Sequence, residues 1–400
     1  MLSVEDAQLQ VMAEVEAGAT EAVPFGEASG RVLREDVVAD RDAPPGDNSA
    51  MDGYAVRAAD IARAPARLRV IGDIAAGHPP ATPVAEGNAM RIMTGALLPE
   101  GADTVVQVEL TDGGMDSVRI DRALARGTSV RRRGEDMRAG QLVLGRGTRI
   151  GPSEMALLAA LQRTTVIVGR RPSVAILSTG DELIGIADPP VPGKIVNTNG
   201  PLIEALVRDT GAAPRQIGIV RDSREETIAA FRTAMESDFV ISSGGVSVGA
   251  YDFVKEALES LGAVTKFWRV AMKPGKPVVL SRAGNCIIFG LPGNPASCFV
   301  SFHLFVAPAL RRALGAANET APVVRARLTS PVRSTGERRL YVRVRLVVEA
   351  GSLVATPLAT QGSGALTSLV GANGLAVVDE GVRSVDAGDE VAVVLVGAIT

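Results

Sequence analysis

The stretch Phe239-Val-Ile-Ser-Ser-Gly-Gly-Val-Ser-Val-Gly-Ala-Tyr-Asp252, FVISSGGVSVGAYD, decides the fold. A short apolar run ends in three serines and three glycines, and an aspartate follows where a helical pattern begins. Strand, glycine-rich turn and helix form the repeating unit of a doubly wound α/β sheet, whose ligands collect beyond the carboxyl ends of the strands. Consecutive glycines let the backbone approach a ligand closely. Free N–H groups, serine hydroxyls and a helix N-terminus favour an anion such as phosphate. By itself the stretch also reads as an ordinary turn, so its neighbours must choose.

Between Pro172 and about Gly315 the neighbours repeat the unit: VAILS, a helix near Leu202 to Arg208, QIGIV, a helix near Arg224 to Met235, DFVIS, and a helix near Phe253 to Leu261. Apolar strands alternating with helices predict a parallel sheet covered on both faces. Ser223 and Glu226 stand in capping-box spacing at the second of those helices. Three further strand ends carry polar equipment. VAILS runs into Thr179-Gly180-Asp181-Glu182, QIGIV into Arg221-Asp222, and Val270 is followed by Met272-Lys273-Pro274-Gly275-Lys276-Pro277. Glu182, Asp222 and Asp252 offer hard oxygen ligands that suit Mg2+ bridged to a phosphate better than zinc, although each acid singly also reads as a helix cap. Lys273 and Lys276, stiffened by two prolines, can act as point charges toward an oxyanion. GLPGNPAS, Gly290 to Ser297, adds a turn before another helix facing the same edge.

Outside this region the pattern changes. Residues 3 to 17 read as an amphipathic helix with Ser3 and Asp6 in capping spacing and Gly18 as its stop. From Arg67 to Ile120 short β-like runs are broken by Gly and Pro, and RRRGEDMRAG then interrupts them. A helix over Ser153 to Gln162 follows Gly151-Pro152. After Ala321 the runs VVRARL, LYVRVRLVV, GLAVVDE and EVAVVLVG predict a compact all-β module.

Composition narrows the function. Forty-two basic against forty-five acidic residues leave a net charge of −3, so no global field favours nucleic acid or an anionic membrane, and an anion must be bound locally. The N-terminus lacks the pattern of a secretory signal, which reads as cytoplasmic. The richest apolar stretch, Cys298 to Leu310, is broken by His303 and Pro308 and is short of a membrane span. Cys286 and Cys298 lack CxxC spacing and read as reduced, buried thiols. With only His78, in a loop pattern, and His303, in FVSFHLFV, a histidine-based triad or zinc site has little to draw on.

The motif series resembles the molybdopterin molybdenumtransferases, the MoeA family, to which the E domain of the scaffold protein gephyrin is also similar. NSAMDGYA (Asn48 to Ala55), RIMTGALLP (Arg91 to Pro99), RRRGEDMRAG (Arg131 to Gly140), STGDEL (Ser178 to Leu183), SSGGVSVGAYD, MKPGKP, GLPGNPAS and QGSGALTSLVGANGL (Gln361 to Leu375) occur in the family's order and cover nearly the whole chain. The resemblance implies an α/β plus β fold in an elongated, multi-domain homodimer. Its parts would be an N-terminal helical and linker part (1–43 with 139–170), a β-rich insert (44–138), a molybdopterin-binding-type parallel α/β sheet domain (171–316) and a β-barrel-like C-terminal part (317–400).

The implied reaction is Mg2+-dependent insertion of molybdate into adenylylated molybdopterin with release of AMP. Asp52, Thr94, Asp136, Glu182, Asp222 and Asp252 are the implied catalytic residues, the last three also the metal ligands. Ser243, Gly244, Gly245, Ser247, Gly249, Pro292 and Asn294 would cradle the substrate, and Lys273, Lys276, Ser363 and one of Arg338 or Arg343 would bind anionic groups. A transient contact with the molybdopterin adenylyltransferase is also implied. One position departs from the bacterial pattern: Arg269 follows Phe267-Trp268 in place of lysine, which changes the donor geometry while keeping the charge. Three alternatives share the sheet domain: a molybdopterin adenylyltransferase, a nucleotide amidase, and a non-enzymatic molybdopterin-binding scaffold. The extra β-rich parts and RRRGEDMRAG disfavour the first two; the scaffold would need an added binding domain.

Overall fold

The computed structural model describes residues 1–245 and 253–399. The chain divides into two compact units, one of residues 36–145 and 156–163, the other of residues 1–35, 146–155 and 164 onward.

In the smaller unit five strands lie in the spatial order Thr104–Gln107, Gly53–Val56, Asn88–Ile92, Ala66–Ile74, Ser117–Ile120. Alternate residues go to opposite faces, as the strand period of two requires. Tyr54 and Val56 join Leu68, Val118 and Ile120 in one cluster, while Ala55 joins Ile74, Met90 and Val105 in the other. Gly53 is obligatory, because a Cβ there would lie 1.9 Å from the Val106 carbonyl oxygen.

The larger unit is built on a six-stranded sheet ordered Ala213–Val220, Ser173–Thr179, Phe239–Ser243, Cys286–Leu291, Pro277–Ala283, Val264–Arg269. Val174 and Ile176 pack under the helices Asn199–Thr210 and Ala307–Leu314, and Ala175 and Leu177 under Arg224–Ala234 and Phe253–Ser260. Burial on both faces is why VAIL reads as a continuous apolar run. The first four strands are parallel, as the sequence predicts. Pro277–Ala283 runs antiparallel to both its neighbours, so the sheet is mixed. The reason is local: Gly284-Asn285 closes a tight hairpin between Pro277–Ala283 and Cys286–Leu291, with Gly284 at φ +58°.

The N-terminal helix spans Val4–Glu14, capped by the Ser3 hydroxyl accepting from the Asp6 N–H at 3.0 Å. It stops three residues short of the predicted 17, because Val15 turns extended and is itself buried in the core. After residue 321 five strands close into a barrel, in the order Arg339–Glu349, Ser352–Pro357, Val323–Leu328, Glu390–Leu395, Gly374–Val378 and back to Arg339–Glu349. Closure leaves no free sheet edge among these strands. The short strand Met272–Lys273 pairs parallel with Arg339 and Leu340, which anchors the lysine turn to the barrel.

Candidate functional site

Strand order reverses between Ser173–Thr179 and Phe239–Ser243, because the chain leaves the first of these to build outward on one side and returns to build on the other. Such a reversal opens a crevice at the carboxyl ends. Thr179 and Gly244 face each other there. Gly244 has φ +90°, and a Cβ on it would meet the Thr179 carbonyl oxygen at 2.5 Å; on Gly245, at φ +63°, it would meet Val254 Cγ2 at 2.6 Å. Only glycine fits either place. Thr179, Glu182, Asp222, Gly244, Pro292 and Asn294 line one cleft. The Thr179 hydroxyl is buried there without a hydrogen-bond partner among the described residues. Ser247, Gly249 and Asp252 lie outside the described residues.

The acids are held by backbone. The Asp181 N–H donates to Asp222 Oδ2 at 3.2 Å, and the Asp222 N–H returns a bond to Asp181 Oδ1 at 3.2 Å. Arg221 and Lys194 both donate to the Asp181 carbonyl, at 3.1 and 2.6 Å. Glu182 and Asp222 are solvent-exposed on this cleft. Among the described residues no three His, Cys, Asp or Glu side chains gather closely enough to enclose a metal. Two carboxylates on one cleft nevertheless match Mg2+, which takes one or two protein carboxylates and fills its octahedron with phosphate and water.

Beside this cleft, where the lysine turn meets the barrel, lies a cavity of about 740 Å3. Among the described residues Lys273, Lys276, Arg333 and Arg338 line it, and no carboxylate does. Neither lysine side chain has a hydrogen bond or ion pair among the described residues, whereas Arg338 donates to the Met272 carbonyl at 3.2 Å. Gly275 between the lysines sits at φ +102°, and a Cβ would come within 2.7 Å of Ser301 Oγ and 2.9 Å of Met272 Cε. Ser363 lines the cavity and also touches the helix Pro295–Ser301: its hydroxyl accepts from Asn294 Nδ2 at 3.1 Å and its carbonyl from the Ala296 N–H at 3.0 Å.

Arg343 takes a different place from Arg338. Fully buried, it spends its guanidinium on Ser368 Oγ at 2.9 Å and on the Thr360 and Gly362 carbonyls at 3.2 and 3.1 Å. It therefore shapes the loop carrying Ser363 and does not line the cavity. Burial lowers its pKa, as expected for a cation without a carboxylate partner. Arg269 is exposed, and its carbonyl accepts from the Leu2 N–H at 3.3 Å.

The smaller unit holds the remaining predicted residues. Asp52 Oδ1 accepts from both the N–H and the hydroxyl of Thr94, each at 2.7 Å. These bonds, the backbone one first, hold its carboxyl below the usual carboxylate range. Asp136 shares a pocket with Asn48, Arg131 and Glu135, and Asp52 is not part of its lining.

The buried groups fit the sequence reading. Desolvation pushes the Cys286 and Cys298 thiols up to about 12. Burial lowers His303 to about 4, and its ring packs 4.4 Å from that of Phe299. His78 is exposed in a loop.

Two residues at the switch point escaped the sequence reading. Asn197 Oδ1 accepts from Ser178 Oγ at 3.1 Å and from the Gly200 N–H at 3.0 Å, and Asn199 lies 6 % exposed on the cleft. The signal was present in Asn197-Thr-Asn-Gly-Pro201, a polar cluster with Gly-Pro at a helix start.

Fold and cleft together define a doubly wound α/β domain joined to a β-barrel. Family models match in three consecutive blocks: the MoeA N-terminal region (domain I and II) over residues 2–161, a probable molybdopterin binding domain over 175–312, and the MoeA C-terminal region (domain IV) over 325–396. The molybdopterin molybdenumtransferase of Bacillus subtilis is 38 % identical over 99 % of this chain and 94 % of its own length. Molybdopterin molybdenumtransferase 2 of Mycobacterium tuberculosis is 40 % identical over 98 % and 99 %. The crystal structure of the molybdopterin biosynthesis MoeA protein from Pyrococcus horikoshii superposes with a TM-score of 0.85 at 31 % identity, covering 99 % of this chain and all of that one. The chain belongs to the molybdopterin molybdenumtransferase (MoeA) family.

Proposed function

We propose that this chain completes the molybdenum cofactor: it takes adenylylated molybdopterin and molybdate, inserts the metal and releases AMP, with Mg2+ assisting. The observation that carries this reading is the adjacency, within one unit, of a glycine-walled, carboxylate-bearing cleft and a cavity lined, among the described residues, by four cations and no acid. A phosphoanhydride needs the first and a tetrahedral oxyanion the second.

The residues divide the work accordingly. The turns Ser243–Gly245 and Pro292–Asn294 present close backbone to the pterin phosphate, with Ser247, Gly249 and Asp252 of the same loop as further candidates. Lys273, Lys276 and Arg338 hold molybdate, Ser363 bonds it, and Arg343 fixes the loop bearing Ser363. Glu182 and Asp222 would hold Mg2+ together with substrate phosphate, and the ion when bound neutralises phosphate charge. No protein nucleophile is required, since phosphoryl chemistry runs on positioning and electrostatics. The cysteines remain protonated thiols and His303 is enclosed by aromatic rings, which leaves that role to the bound oxygens.

On this reading the working assembly is a homodimer that receives substrate by transient contact with the adenylyltransferase. Sedimentation and a pull-down with that enzyme test these points. The chemistry is tested by AMP release from adenylylated molybdopterin with Mg2+, with and without molybdate. Molybdate-stimulated release that is lost in Asp222→Asn supports the reading. Pterin binding without cleavage by the wild type would instead make the chain a carrier.

A further inference from the structure

Asn199 begins the helix Asn199–Thr210 and faces the cleft at the switch point. Its amide nitrogen donates to Ser243 Oγ at 2.6 Å and to the Gly293 carbonyl at 2.6 Å. Ser243 closes the strand Phe239–Ser243, and Gly293 lies in the turn after Cys286–Leu291, so one side chain fastens the two turns that form the cleft floor. These turns approach so closely that a Cβ on Gly293 would sit 3.7 Å from Gly244 Cα.

The orientation of the amide is settled by its partners. A carbonyl only accepts, so the atom at Gly293 must be the NH2 group. Oδ1 is then left buried with no donor among the described residues. A half-satisfied buried amide costs stability, and a small apolar residue would fill the space without that penalty. The local gain that offsets it is the pair of hydrogen bonds from Nδ2, and what they control is the spacing of two ligand-facing turns.

We propose that Asn199 is a positioning residue for the pterin substrate, setting the separation of the Ser243–Gly245 and Pro292–Asn294 turns. Its effect falls on pterin affinity and spares molybdate, whose side of the site is held by bonds that involve neither turn: Arg343 to the Thr360 and Gly362 carbonyls, and the pairing of Met272–Lys273 with the barrel. The inference rests on the function proposed above, and binding and turnover are therefore measured separately.

The experiment is anaerobic equilibrium binding of molybdopterin to the intact protein, beside the molybdate dependence of AMP release. Asn199→Ala should weaken pterin binding about tenfold or more, the consequence of losing a buried donor from two acceptors, with the molybdate KM unchanged within about threefold. Ser243→Ala, which loses one of the two bonds, should weaken it less. Asn199→Asp keeps the shape but sets an anion against the Gly293 carbonyl. It should bind worst at high pH and recover as pH falls through the raised pKa of a buried carboxyl, because the neutral acid regains a donor. Asn199→Ala should show no such recovery.

Pterin binding within about twofold of wild type in Asn199→Ala, or absence of pH recovery in Asn199→Asp, overturns the proposal, as does equal weakening of both substrates. If Asn199→Ala fails to fold, Ser243→Ala and the pH profile of Asn199→Asp still decide. Wild-type binding without AMP release would sink the proposed reaction and leave this inference to be judged on binding alone.

Discussion

The segment Arg131–Gly140 carries four arginines, two of them ion-paired, and the turn Met272–Pro277 only two lysines, neither side chain paired among the described residues. Arg132 pairs with Asp47 and Arg133 with Asp42, each at 2.6 Å. The Asp42 carboxylate also accepts from the Ala139 N–H at 2.8 Å and Asp47 from the Arg133 N–H at 2.9 Å. Those aspartates are brought in from about ninety residues away by the pairing of Asn48–Ser49 with Val130–Arg131. The lysine turn meets the barrel through its Met272–Lys273 backbone and the Arg338–Met272 bond, and among the described residues the cavity it enters has no carboxylate. The number of charges on a segment therefore says little about anion binding; what matters is whether the fold supplies them with partners.

The contrast can be broken most strongly at Gly275. Gly275→Ala forces a left-handed φ on a residue with a Cβ and drives it into Ser301 Oγ, at a cost of about 1–3 kcal/mol if the turn holds. The expected outcome is loss of molybdate-stimulated AMP release with a lowered denaturation midpoint, read by activity and urea unfolding. Next in size, Lys276→Ala and Lys273→Ala should each raise the molybdate KM about tenfold or more and flatten its salt dependence, with Lys→Arg recovering only part. Unchanged molybdate KM in both variants would mean that the cavity is not the oxyanion site.

Smaller effects sharpen the other side. Arg132→Ala and Arg133→Ala should leave both substrate KM values within about twofold, since exposed ion pairs contribute little. A large change in molybdate KM would show that this segment binds anions after all.

Acid should separate the two regions as well. The Asp42 carboxyl is held below its usual range first by the Ala139 N–H and then by Arg133. A depressed carboxylate contributes stability above its unfolded value, about 3.9, that is lost as pH falls through the folded value. Below about pH 4 the arginine segment should loosen, while the lysine turn, which leans on no carboxylate among the described residues, should not. NMR titration of the Asp42 carboxyl in wild type and Arg133→Ala checks this, the variant titrating higher.

Much of the site was legible before the fold. Strand ends rich in glycine, acid and lysine announced the edge at which Thr179, Glu182, Asp222, Gly244 and Gly245 now meet, because local backbone demands leave local residue choices. Asn199 was not legible. Its partners Ser243 and Gly293 are 44 and 94 residues away, and nothing in the neighbouring sequence encodes such a contact. Arg343 was seen as a charge beside Arg338, and only burial separates the two roles.

The sequence by itself determined the doubly wound pattern, the glycine turns and the types of chemistry carried at each strand end, since periodicity and φ preferences act over a few residues. The hairpin that makes the sheet mixed was also written locally, in Gly284-Asn285, although the apolar alternation concealed it. Tertiary structure alone decided which cations are neutralised, which arginine is buried, and which amide joins two turns. Those outcomes depend on side chains from distant segments competing for the same partners, a competition that exists only once the chain has folded.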